Sequence, residues 1–357
     1  MKTLAEKRTI VFSPFMSLLF IFFMLFAACN EDDVLNPDES YPSYQEVNLV
    51  SSESGYGANI IDPNLVNPWG MAVSPTGSFW ISSTARDLTT IYDYNGMTAA
   101  PPIPVSGDPT GVIYNPTLDF LIPATNTLSK FIYVGERGTV HAWASGSTTT
   151  KVADHAEAGA VFKGVTMGND GESNFLYIAN FYSGEIEVLD RNFVHTEGQH
   201  FVDPTLPSGY APFNIRNIGG KLYVTYALQS ANKENDVPGA GHGYVNIFNT
   251  DGSFVRRFAS GGNLNSPWGI AKVTDNFGEE PNAILIANFG DGRINVFSED
   301  GEFLHALKDG STTIEIDGLW DIMFPTAGVP SIEQTKLYFT AGPVNETQGL
   351  FGYIKMR

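Results

Sequence analysis

Residues 67–84 are "NPWGMAVSPTGSFWISST", and residues 266–271, some two hundred positions later, are "SPWGIA". A Trp between Pro and Gly opens an apolar run in both places. Pro fixes the backbone on entering the run, and Gly lets that backbone pass close to a neighbour. The run is short and apolar, a turn with Gly follows, and a second β-rich run comes next. That is the pattern of a strand, a hairpin and a second strand.

The same grammar recurs in six units along the chain. The first continues from residue 67 to "TTIYDYNG", ending at 96. The second has "DPTGVIYNP" at 108–116 and "KFIYVGERGTVHAWASG" at 130–146. The third is residues 162–193, beginning "FKGVTMGNDG". The fourth has "APFNIRNIGGKLYVTYA" at 211–227, then a polar insertion, then "GHGYVNIFNTDGSFVRRF" at 241–258. The fifth is residues 266–307, and the sixth has "DGLWDIMFP" at 317–325 followed by "KLYFTAG" and "GLFGYIK" at 336–342 and 349–355. Four short antiparallel strands per unit define a propeller blade. "NTDG" and "SEDG" fall where the hairpin between the third and fourth strands belongs, with Gly supplying positive φ.

The sixth unit stops after its third strand. A bare strand edge invites aggregation, so another segment should cover it. "YQEVNLVSS", residues 44–52, alternates apolar and polar positions before the first unit and fits that place. The expected fold is therefore an all-β, six-bladed β-propeller spanning residues 44–357, its last blade closed by the N-terminal strand.

The units resemble those of NHL-type six-bladed propellers. More closely, the chain is similar to an uncharacterised family of bacterial secreted propellers often associated with PEP-CTERM sorting tails. The resemblance rests on residues 62–82, 211–227, 266–271, 287–297, 317–324 and 337–354, which span nearly the whole chain after residue 44. It implies a propeller and no assigned activity. The chain departs from the pattern at its ends, having no C-terminal sorting tail and a lipobox-like Cys.

That Cys is Cys29, the single Cys of the chain. Residues 1–28 carry Lys2, Lys7 and Arg8 and then "FMSLLFIFFMLFAA", too short to favour a membrane-spanning helix and suited to a secretory leader. Ala27 and Ala28 before Cys29 resemble a lipobox, with Phe26 in place of the commoner Leu. The expectation is a lipoprotein signal peptide over 1–28, lipidation of Cys29, and an acidic flexible tether over 29–43. Export would place the domain on the outer membrane, at the cell surface or on the periplasmic face.

The formal charge is −19, and removing 1–28 takes away three Lys or Arg and one Glu, leaving −21. Such a chain is a poor partner for nucleic acid or an anionic membrane surface. Contact with membrane through the lipid alone, and a monomer, are expected.

In a propeller blade, the loop leading into the innermost strand and the turn between the second and third strands share a face around the central channel. The sequence nominates for that mouth Trp69, Phe213, Asn214, Trp268, Trp320 and Asp321 from the first kind of loop, and Asn288 and Asp291 from the second. Thr110, Lys163, Glu136, Arg137, Asn180, Tyr182 and Glu346 occupy equivalent places, and the 228–243 insertion, with His242, could form a lid. Each has a plainer use. The Trp residues can wedge neighbouring blades together, and Asn180 and Asn288 can cap tight hairpins. No HExxH, P-loop, GxSxG or His pair at ligand spacing is present. No metal site or cofactor is assigned, with Ca²⁺ held by mouth carboxylates left open. The expected function is a binding or scaffolding module for a glycan, peptide or envelope protein. The alternative is an NHL-like lyase or lactonase with Asp321, Glu136, Asn214 and Asn288 around a divalent cation.

Overall fold

The structure, a computed structural model, describes residues 41–196, 201–274, 276–325, 333 and 335–357. Residues 1–28, Cys29 and most of the acidic tether lie outside the described residues. From Pro42 to Arg357 the chain is one compact unit.

Six sheets form six blades, antiparallel throughout except for the parallel pairing of Ile60–Ile61 with Val50 and Ser51 in the last. The innermost strands are Pro68–Val73, Pro109–Tyr114, Phe162–Asn169, Tyr210–Ile218, Pro267–Lys272 and Leu319–Met323. Blades one, two, four and five each have four strands. Blade three has three, extended by an isolated pairing of Leu189 with His195. In blade six, Tyr44–Ser51 lies antiparallel to the chain's last strand, Leu350–Met356, with Tyr44 opposite Met356 and Ser51 opposite Leu350. The ring closes as the alternating pattern of 44–52 predicts. The turns at 249–252 and 298–301 carry Gly252 and Gly301 at φ 87° and 90°, as the hairpin motifs require.

Alternation along each strand sends successive side chains to opposite neighbours. Met71 packs with Tyr338 and Phe351 of blade six, while Ala72 packs with Val112 and Phe131 of blade two. The same division gives one apolar layer at every seam between adjacent blades, for example Leu285 against Phe339 and Val245 against Ile286. A seventh cluster, of Trp69, Phe181, Phe213, Trp268 and Trp320, fills the centre.

The centre is built by one repeated device. All six innermost strands carry a register shift at the same place, between Pro68 and Met71, Pro109 and Val112, Phe162 and Val165, Pro212 and Asn214, Pro267 and Ile270, and Leu319 and Ile322. A bulge re-aims a side chain. The re-aimed residues are Trp69, Thr110, Lys163, Phe213, Trp268 and Trp320, one per blade. The next residue is Gly in four blades, because a Cβ there would meet the neighbouring strand. At Gly70 it would lie 2.8 Å from the Thr110 carbonyl oxygen, and at Gly269 2.7 Å from that of Trp320. The Pro-Trp-Gly motif is thus a bulge that swings a ring into the channel and a Gly that lets two inner strands approach.

Candidate functional site

At the expected mouth, the aromatic rings fill the channel. Trp69 and Trp320 stack with centroids 3.5 Å apart at 20°, and Phe289 stacks on the other side of Trp320 at 3.9 Å. Trp268 meets both Trp69 and Trp320 edge-on. Trp69, Trp268, Trp320 and Phe213 are no more than 2% exposed. These candidates come together as the sequence predicts, but as a plug whose faces meet each other rather than solvent.

Polar groups complete the plug. Trp320 Nε1 donates to Asn67 Oδ1 at 3.0 Å, and Asn67 Nδ2 donates to Glu346 Oε2 at 2.7 Å. Lys163 is buried, with its Nζ 4.9 Å from the Trp69 ring centroid, and it pairs with Glu136. This pairing and the ring face offset part of the cost of burying an ammonium. Burial pushes the carboxyls of Glu346 and of Asp236, from the 228–243 insertion, above the usual carboxylate range.

The other nominated residues serve separate partners. Asn288 Oδ1 accepts from Asn265 N at 3.2 Å, and its Nδ2 donates to Asn263 O and Asp291 Oδ1 at 2.8 and 3.0 Å. Asn180 Oδ1 accepts from Val161 N at 3.2 Å. Both therefore tie a second-to-third turn to the loop leading into the inner strand of the same blade. Asn214 Nδ2 donates to Trp268 O at 2.9 Å, one blade onward. Asp321 accepts from Met71 N at 3.1 Å and Ile322 N at 2.9 Å. Asp321, Glu136, Asn214 and Asn288 thus do not share a centre. Among the described residues, no three His, Cys, Asp or Glu side chains are grouped so that they could hold a metal ion. His242 Nδ1 lies 2.9 Å from Val237 O within its own loop.

The open end of the channel is the opposite one. A cavity of about 570 Å³ lies between the C-terminal ends of the inner strands, within the range of small-molecule sites. Its wall is largely apolar, with Val73, Val112, Ile113, Tyr114, Met167 and Met323. A smaller cavity toward blade five shares Arg216, Asn217 and Met323 with it. Arg216 Nη2 reaches Asp321 Oδ1 at 2.5 Å, while its Nε is buried without a protein partner. Burial pushes the Asp321 carboxyl upward, against the pull of Arg216 and the Met71 and Ile322 amides.

Sequence reasoning does not single out Arg216, although it stands inside the quoted "APFNIRN". The available signal was its spacing. It follows Asn214 by two residues on an innermost strand, so the two share a face.

The molecule is a six-bladed β-propeller whose channel is plugged at one end and open at the other. It belongs to the same family as "Uncharacterized protein R648" of Acanthamoeba polyphaga mimivirus, to which it is 34% identical over 350 residues covering 92% of this chain and 84% of that protein. This relative is viral, so the bacterial origin implied by the sequence resemblance is not supported, whereas the propeller is. No family profile matches the chain. Among solved structures, a structural genomics protein of unknown function from Bacteroides thetaiotaomicron aligns with TM-score 0.57 at 11% identity, over 88% of this chain and 76% of that one. A streptogramin B lyase aligns with TM-score 0.52 at 12% identity, over 88% of this chain and 97% of that one. Likeness at such identity shows the fold alone.

Proposed function

We propose that the protein is a lipid-anchored, extracytoplasmic binding module that takes a small ligand, or one projecting group of a larger partner, into the open end of its channel. Cys29 is the anchoring residue and 29–43 the tether. The observation that carries the reading is the asymmetry of the channel. Buried aromatics fill the end where loops were expected to bind, and a cavity of about 570 Å³ stands at the other. The plug closes the other end with packed side chains, and a preformed cavity loses little entropy on binding. The binding reading stands ahead of the lyase or lactonase reading because the four residues proposed for a cation are held apart by other partners.

Titration of the full chain with anilinonaphthalene sulfonate tests this. One saturable fluorescence component is expected, lost in Val112→Trp, which fills the cavity, and kept in Tyr182→Ala on the mouth face. Loss in Tyr182→Ala with retention in Val112→Trp would reverse the assignment.

A further inference from the structure

The charges that line the open end say what it accepts. The chain has 39 Asp and Glu against 20 Lys and Arg. Yet among the described residues no carboxylate side chain lines either cavity, and the charged side chains there are Arg216 and Lys272. In so acidic a chain, the described cavity walls themselves present no carboxylate, and Asp321 meets Arg216 from outside the lining.

Arg216 is also pre-positioned. Asp321 holds one end of its guanidinium, and Asp321 is itself fixed by two backbone amides of different blades. A guanidinium has five N–H donors in a rigid fork. The bond to Asp321 engages one Nη2 hydrogen and Nε is enclosed by protein, which leaves the Nη1 side of the fork for a ligand. Beside it, Thr166 presents a hydroxyl whose oxygen already accepts from Asn217 N at 3.1 Å. Around these groups the wall is Met, Val, Ile and Tyr.

We infer that the channel's open end binds an organic carboxylate, its anionic head on Arg216 and Thr166 and its apolar body against Met71, Val112, Met167 and Met323. A single planar carboxylate suits one guanidinium fork. A phosphate dianion would bring a second charge into an apolar wall where, among the described residues, Arg216 is the only cation of the main cavity, Lys272 lining the smaller one alone. The inference rests on the binding reading above and specifies its ligand.

Isothermal titration of the full chain with 3-phenylpropionate and with its neutral amide is the test. The acid is expected to bind at one site and at least about tenfold more tightly than the amide, as a charge-assisted bond to Arg provides. Arg216→Met alone would leave Asp321 buried and unpaired and could unfold the ring, so the informative variant is Arg216→Met with Asp321→Asn. In it the preference for the acid should vanish, while weak binding of both probes persists. Equal affinity of acid and amide for the wild type, with both lost in Val112→Trp, overturns the carboxylate assignment and leaves channel binding standing. An acid preference that survives in the double variant also overturns it. No binding of either probe, together with no cavity-dependent dye signal, overturns both readings.

Discussion

Arg216 of the fourth blade and Asp321 of the sixth meet across the fifth, Nη2 to Oδ1 at 2.5 Å. The two are 105 residues apart in the chain. Asp321 is 2% exposed and also accepts Met71 N from the first blade. One carboxylate therefore links three blades. Removing its partner strands a buried charge, and breaking a buried pair costs about 3–5 kcal/mol. Arg216→Met should lose that much in urea unfolding, and the added Asp321→Asn should recover most of it. A single variant as stable as the wild type would show that the pair does not hold the ring.

The central plug makes a separate prediction. Trp69→Ala or Trp320→Ala should cost about 3–5 kcal/mol, the usual penalty for emptying a buried aromatic site. Trp320→Phe should cost less but still lose the bond from Nε1 to Asn67. Chemical denaturation distinguishes the two. A neutral Trp69→Ala would mean the rings are a ligand surface rather than packing.

Ring closure gives a third. Deleting residues 42–51 removes the strand paired with Leu350–Met356 and bares an edge rich in apolar residues. The shortened chain should melt at lower temperature and associate, as seen by circular dichroism and size-exclusion chromatography. A monomer with unchanged melting would contradict the closure.

These features were unequally legible in the sequence. The blades could be read because hairpin glycines and alternating strands act locally, and the closing strand because an unfinished unit needs an edge partner. The convergence of Trp69, Trp268, Trp320 and Phe213 could be read from their shared place at the entry to the inner run of each unit, although the structure puts them inside the inner strands, at the bulges. Which end of the channel stays open could not, because it depends on how six side chains fill one space together. The bond from Arg216 to Asp321 depends on the position of two blades about the axis, which no local pattern encodes. His155, Glu187 and His195 gave no signal either, since the first lies in the loop before blade three, the second on its third strand and the last at an isolated bridge beyond it.

That last group yields a pH prediction. Glu187 Oε1 lies 3.1 Å from His155 Nδ1 and 2.6 Å from His195 Nδ1. The bond to Glu187 raises the His155 pKa above its ordinary 6.5, more than burial lowers it. Burial pushes Glu187 up, but its bonds to and charges from the two His residues outweigh this and leave it below 4.5. A raised His contributes stability below its unfolded pKa and loses it as pH rises through the folded value, while a lowered Glu contributes above its unfolded pKa and loses it as pH falls. The cluster therefore supports the fold most between about pH 4.5 and 6.5. His155→Gln should lower the melting temperature more at pH 5.5 than at pH 8, and an equal loss at both would contradict the coupling.

In the proposed reading, ligand enters the end opposite the aromatic plug. Amide hydrogen exchange on the full chain, with and without saturating 3-phenylpropionate, separates this from binding at the plugged mouth. Increased protection over residues 112–116, 166–167 and 216–217, with none over 67–70 or 228–243, is the predicted result. Protection concentrated at 67–70 and 228–243 would contradict it and return the site to the plugged mouth.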